Sequence, residues 1–236
     1  MPTPRDYDAD PGRFRRGVRL TAAHVRPGAD LHARIVRLLL DAGAARVLDI
    51  GCGDGALARS AVGSALRVYG IDAATAMTAA AVRRCPVARG DVIALPVADA
   101  AADAVVAVNV LDHLDRPELG LREAYRVLRP DGLFIAGTIS RVDSPELAPF
   151  WQPEPTPFDA EDAQQLVAAA FGAAETEPWD ASLITLPDRD AVRDFLQARL
   201  VPHHRAELLA DALADRGPLP LPLTKRGALI LARRAS

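Results

Sequence analysis

The chain has 236 residues, with 28 basic and 31 acidic side chains and a formal net charge of −3. At roughly 150 residues per domain, this length fits one domain with elaborations. Half of the residues are hydrophobic and a quarter are charged, which excludes disordered, collagen-like and mucin-like chains. The near-balanced charge gives no electrostatic case for a nucleic acid partner.

Two cysteines, Cys52 and Cys85, make no disulfide framework and have no companions at zinc-ligand spacing, so no metal site is expected. The start, Met1 to Asp6, lacks the apolar core of a signal peptide. No apolar run approaches the ~20 residues that span a bilayer, so the expected setting is the cytoplasm, without a membrane partner. Lys225 is the only lysine. In so arginine-rich a chain, a lone arginine says little about function.

Residues 1–45 contain one convincing helix, Leu31 to Ala42, and eight arginines against five aspartates. From Arg46 the pattern alternates. Arg46–Ile50 reads as a strand, Ala56–Val62 as a helix, Arg67–Ile71 as a strand, and Thr75–Arg84 as a helix with Thr75 as N-cap. Val87–Arg89 and Asp103–Asn109 read as strands. Pro117–Leu128 is a helix with proline in its first turn. Asp131-Gly132 turns into a fifth strand, Leu133–Ile139. This alternation predicts an α/β fold with a parallel sheet covered on both faces.

Pro145 to Pro157 is too proline-dense for regular structure. Asp159–Ala170 then reads as a helix and Ala173–Trp179 as a strand. Asp188–Leu200 and His203–Arg216 read as helices, and Gly227–Ala232 as a closing strand. The expected organisation is an N-terminal lid segment, 1–45, and a core, 46–236, with a helical cap inserted at about 181–222. Residues 1–30, the cap and the Pro145–Pro157 loop are expected to roof the pocket. A monomer and a homodimer are both compatible with the sequence.

The chemistry starts at Asp49-Ile-Gly-Cys-Gly-Asp-Gly55, where the first strand turns into the first helix. Glycines there let a ligand approach the backbone. Gly51, Gly53 and Ala56 also satisfy a relaxed dinucleotide fingerprint. Asp49 separates the two ligands this allows. A carboxylate beside a pyrophosphate is repulsive, whereas S-adenosyl-L-methionine brings an ammonium and a sulfonium. Asp54 adds a second negative charge in the loop. No Gly-Lys-Ser/Thr follows, which excludes a P-loop. Asp72 ends the second strand about twenty residues on, where an acid takes both ribose hydroxyls. In Gly90-Asp91-Val92, the acid can accept from an adenine amino group while the next N–H reaches a ring nitrogen. Asn109 closes the fourth strand. All four features fall at carboxyl ends of strands, where open α/β sheets bind ligands.

These motifs resemble the class I S-adenosylmethionine-dependent methyltransferases. Val47–Gly55 is similar to that family's first motif, Asp72 to its ribose-binding acid, and Gly90–Pro96 to its adenine loop. Leu121–Gly132 is similar to the helix-turn-strand that follows its fourth strand. The resemblance covers about residues 45–140. It implies a Rossmann-like doubly wound sheet of order 3-2-1-4-5-7-6 with the last strand antiparallel. It also implies that S-adenosyl-L-methionine lies against Asp49, Gly51, Cys52, Gly53, Gly55, Asp72, Ala73, Met77, Asp91, Val92, Asn109 and Leu114. Asn109 would help through its backbone. Met77 would lie over the adenine or belong to the core. Cys52 reads as a small residue in a crowded loop.

Methyl transfer needs positioning and a dry site more than a fixed catalytic set. His113 is the candidate base, since its pKa lies near neutrality. Asp112 can orient an amine or hydroxyl. Tyr7, His24 and the arginines Arg13, Arg15, Arg16 and Arg19 belong to the lid or form a charged surface. Trp151 and Trp179 line an apolar pocket or sit in a core, and His203-His204 starts a helix. The fourth strand lacks the Pro-Pro-Tyr/Phe run of amino-methyltransferases, and Cys85-Pro86 reverses the order a cytosine nucleophile needs. A small-molecule methyl acceptor is therefore expected. Two other readings remain: another use of the cofactor, such as cyclisation releasing methylthioadenosine, and a non-catalytic binding protein, against which the intact Asp49 and Asp72 argue.

Overall fold

The computed structural model describes residues 11–26, 30–217 and 219–236. Seven strands form one sheet: β1 (Arg46–Ile50), β2 (Arg67–Asp72), β3 (Val87–Arg89), β4 (Ala102–Val108), β5 (Leu128–Ile139), β6 (Glu175–Leu186) and β7 (Leu221–Arg233). Their order is β3-β2-β1-β4-β5-β7-β6. The first five are parallel, and β7 is antiparallel to both β5 and β6. The expected topology is thereby observed.

Among the described residues eight α-helices accompany the sheet: α1 (Pro11–His24), α2 (Leu31–Asp41), α3 (Ala56–Ser60), α4 (Thr75–Ala81), α5 (Pro117–Val127), α6 (Ala160–Phe171), α7 (Arg189–Ala198) and α8 (His203–Arg216). Side chains of a strand alternate between faces. Leu48, Ile50, Val105 and Phe134 therefore meet α5 and α6 on one face. Val47, Val106 and Ile135 meet α2 and α3 on the other. The same alternation turns Asp49 toward the α2–α3 side. Val105 and Val106 are both fully buried, as a central strand covered on two faces requires.

A third core stands apart from the sheet. It joins Leu20 of α1, Leu147 of the 145–147 turn, Ile184 and Leu186 of β6, Phe195 of α7, Ala210 of α8 and Leu223 of β7. β5 ends at Ile139, opposite Gly227. Beyond that row β6 and β7 continue as a two-stranded ribbon, with Asp180 pairing Arg226 and Leu186 pairing Leu221. The ribbon thus rises past the carboxyl edge of the sheet and carries α7 and α8. Arg26 N–H bonds Leu183 O at 2.7 Å, which ties the segment after α1 to the ribbon.

Several boundaries differ from the sequence reading. Among the described residues of the N-terminal 45, α1 precedes the expected helix α2. Asp131 (φ 61°) adopts its turn conformation inside β5, so that strand begins at Leu128. The N-cap of α4 is Ala74, not Thr75, because Asp72 Oδ1 reaches back to the Ala74 N–H at 2.9 Å. The strands flanking the cap are longer than read, which trims the insertion from 181–222 to residues 187–220. Pro178 lies in β6 and Pro222 in the start of β7. They are tolerated because β6 is an edge strand and β7 lacks a second neighbour beyond Gly227.

Asp103 joins β4 to the entrance of β1. Its buried carboxylate accepts from the N–H groups of Ala45 and Arg46 at 3.1 and 2.7 Å and from the Arg46 guanidinium at 3.2 Å. Burial pushes its pKa up, but these bonds outweigh it and hold the group below the usual carboxylate value. The stability it contributes is present above the unfolded value near 4 and is lost as pH falls through the depressed folded value. Asp103→Ala is expected to cost roughly 1–3 kcal/mol at pH 7 and to lose less at acidic pH. Urea denaturation at several pH values measures both.

Candidate cofactor site

The glycine turn after β1 is bent by Gly51, Gly53 and Gly55, at φ 67°, 54° and 82°. This left-handed region is open to glycine at little cost. The N–H groups of Gly51 and Cys52 both donate to Ile71 O, at 2.8 and 3.0 Å. Gly53 N–H donates to Asp72 Oδ2 at 2.8 Å. Asp72 therefore ties the β1 turn to the start of α4. A Cβ on Gly51 would lie 2.3 Å from Val110 Cγ2, so the β4 loop closes directly on the turn.

Asp49 is 5% exposed. Burial, and then the neighbouring Asp72, push its pKa up to about 8. Among the described residues no cation pairs with it. Cys52 is buried, and its Sγ occupies the space beside Gly70, where a Cβ would come within 2.7 Å. Burial followed by Asp49 and Asp72 raises its thiol pKa far above the ordinary value, so it is no nucleophile at neutral pH. Asp54, read as a second free charge, is instead compensated by Arg84 at 2.7 Å and Arg59 at 3.5 Å.

The remaining candidates gather around this turn. Ala73 is exposed and Met77 is buried on α4. Asp91 is exposed, but its Oδ1 already accepts from Ile93 N–H at 3.1 Å within its own loop. The Val92 side chain belongs to the core. Asn109, at φ 50°, donates its N–H to Gly137 O at 2.8 Å, so its backbone help cannot come from that group. A short helical turn, Leu111–His113, follows. Leu111 anchors it in the core, Leu114 packs beside it, and His113 Nδ1 stands 3.7 Å from Asp112 Oδ2.

Tyr7 lies outside the described residues. Arg16 Nη1 donates to Gln197 Oε1 of α7 at 2.7 Å, while Arg19 is exposed. Trp151 packs in the third core and Trp179 against the α2–α3 core. His203 opens α8. Among the described residues no three histidine, cysteine or acidic side chains gather as metal ligands, and no helix is long and apolar enough to cross a membrane. Sequence reasoning missed one buried charged cluster, Asp143, Arg199 and Lys225, because it assembles from three segments far apart in the chain.

The strand order, the glycine turn and the acids ending β1 and β2 define a Rossmann-like methyltransferase fold. Residues 48–136 match the family model of a methyltransferase domain. A "Probable S-adenosylmethionine-dependent methyltransferase" of Mycolicibacterium smegmatis is 37% identical over 99 residues, 41% of this chain and 38% of that protein. The chain spans under half the length of the first curated relatives it matches. Two solved structures share the whole fold. The (4+2)-cyclase SpnF superposes with a TM-score of 0.61 at 20% identity, over 98% of this chain and 95% of that one. A Thermotoga maritima S-adenosylmethionine-dependent methyltransferase, described as a possible histamine N-methyltransferase, gives 0.60 at 20% identity over 97% of each chain.

Proposed function

We propose that this protein transfers a methyl group from S-adenosylmethionine to a small-molecule acceptor. The observation that carries this reading is Asp49, a buried carboxyl group beside the glycine turn with no counter-cation among the described residues. Such a group is costly when charged, and the ammonium of the cofactor's methionine end supplies the missing charge. A pyrophosphate would worsen the repulsion instead. When bound, S-adenosylmethionine supplies an activated methyl on its sulfonium.

In this reading the Gly51–Gly55 backbone and Asp49 hold the methionine end. Carboxylates offer about four acceptor sites, so Asp72 can hold the turn and also take the ribose hydroxyls. Asp91 faces the adenine amino group. His113, with Asp112 beside it, receives the proton of an acceptor that must lose one. The third core roofs the acceptor side and excludes water.

The test is incubation with methyl-labelled S-adenosylmethionine and a panel of small amines, alcohols, phenols and carboxylic acids. Label in an acceptor, with S-adenosylhomocysteine formed in equal amount, is the expected result. Release of methylthioadenosine without label transfer contradicts it. The likeness to a protein named as a cyclase concerns the fold alone, and the relatives named as methyltransferases favour methylation.

The roof carries its own prediction. Deleting residues 1–20 removes most of α1 and the Leu20 contact with the third core. Turnover of an acceptor is expected to fall by about tenfold or more, because positioning and water exclusion are lost. Affinity for S-adenosylhomocysteine, whose contacts lie in the core, stays within about threefold. A folded truncated protein with full turnover contradicts this role.

A further inference from the structure

Arg199 is the odd arginine of the cap. It follows α7, and its guanidinium stacks 3.4 Å above the Phe195 ring centroid. Among the described residues its guanidinium makes one hydrogen bond, a long one of 3.4 Å to Phe195 O. Among the described residues no carboxylate lies within ion-pair distance of it, although a guanidinium offers five N–H donors. Lys225 reaches the same ring from β7, with Nζ 5.7 Å from the centroid. Lys225 is paired with Asp143, whose carboxylate is fully buried and also accepts from Arg226 N–H at 2.8 Å. Glu146, the other acid nearby, is occupied by the N–H and hydroxyl of Thr224.

Among the described residues Arg199 is therefore a cation without a carboxylate in ion-pair contact. The cluster is enclosed, yet Arg199 and Lys225 both keep part of their surface open. It also stands above the right edge. Ile139 of β5 pairs with Gly227, and Lys225 lies two residues further out. Asn109 of the cofactor site bonds Gly137 on β5, one strand short of β7. Strand spacing and rise put Lys225 roughly 10 Å across and roughly 10 Å above Asn109, the reach of a small acceptor molecule.

We propose that Arg199, with Lys225 beside it, binds a carboxylate carried by the methyl acceptor. This rests on the methyl-transfer reading and narrows its acceptor to an organic carboxylic acid. A guanidinium fork matches a carboxylate in two parallel hydrogen bonds. Asp143 and Glu146 stand nearby, so a monoanion meets less repulsion there than a doubly charged phosphate. Burial lowers the Arg199 pKa to about 10, with Asp143 giving partial relief. Burial and then Arg199 lower that of Lys225 to about 8.

Saturation-transfer NMR on the full chain tests this, using benzoate, benzamide and phenyl phosphate at equal concentration, with and without S-adenosylhomocysteine. Benzoate is expected to give a signal at least about fivefold above the other two. Arg199→Gln should bring benzoate down to the benzamide level while S-adenosylhomocysteine affinity stays within about twofold. Arg199→Lys, which keeps the charge and loses the fork, should retain an intermediate signal and serves if the glutamine variant does not fold. Equal signals for benzoate and benzamide, a stronger phenyl phosphate signal, or a benzoate signal unchanged in both variants overturns the proposal. Absence of S-adenosylhomocysteine binding, with the benzoate preference intact, counts against the cofactor reading alone.

Discussion

Gly51→Ala is expected to destroy cofactor binding and to lower stability markedly. At φ 67° a non-glycine residue costs roughly 1–2 kcal/mol. The new Cβ would also lie 2.3 Å from Val110 Cγ2 and 2.6 Å from Val110 Cβ. Val110 leads into the Leu111–His113 turn, which Leu111 anchors in the core, so it cannot yield without moving the β4 loop. A total near 3 kcal/mol or more is expected, with overpacking added to backbone strain. Affinity for S-adenosylhomocysteine should drop by about 100-fold or beyond. Gly63→Ala is the control. It has the same kind of backbone, φ 82°, with nothing within 4 Å of the added Cβ. It should cost about 1 kcal/mol and leave affinity unchanged. Denaturation and calorimetric titration of both variants decide the matter; equal behaviour would contradict the close approach at Gly51.

Asp49→Asn is expected to separate affinity from stability. Removing the carboxylate should weaken S-adenosylhomocysteine binding by roughly 1–3 kcal/mol, about 10- to 100-fold. The unliganded protein should be as stable as the wild type, or more so at alkaline pH. Asp49 has a folded pKa of about 8, above the unfolded value near 4. Its folded state therefore holds an extra proton between these values, so this contribution to stability is fully present below about 4 and is lost progressively as pH rises to about 8. Ligand binding runs the other way, because the ammonium prefers the ionised carboxylate. Binding should release a proton at pH 7 and weaken by up to about tenfold per pH unit toward pH 6. Asp49→Asn should abolish that slope. Titration in buffers of different ionisation enthalpy reads the proton directly; an identical slope in both proteins rules out Asp49 as its source.

The sheet was legible because each parallel strand is a short apolar run bounded by glycine, proline or an acid. Asp49, Asp72 and the three loop glycines could be placed because they sit at fixed offsets from the ends of β1 and β2. What the sequence hid depends on tertiary contact. The α1 segment is rich in arginine and interrupted by Gly17, and it is a helix whose Leu20 contacts the cap instead of the sheet. Pro222 stands in the outer half of β7, and only the ribbon pairing shows why it is allowed there. Asp54 looked like free charge until the fold brought Arg84 from the end of α4. Asn109 was expected to offer its backbone, but β5 takes its N–H. Arg199 and Lys225 are uninformative singly and meaningful only over one phenylalanine ring.

The central claim is that the glycine turn and Asp49 form a site for S-adenosylmethionine and not for a dinucleotide. The most direct measurement is isothermal titration of the full chain with S-adenosylhomocysteine and, separately, with NAD. The account predicts saturable binding of S-adenosylhomocysteine and no heat of binding with NAD at millimolar concentration. Binding of NAD without binding of S-adenosylhomocysteine would contradict it.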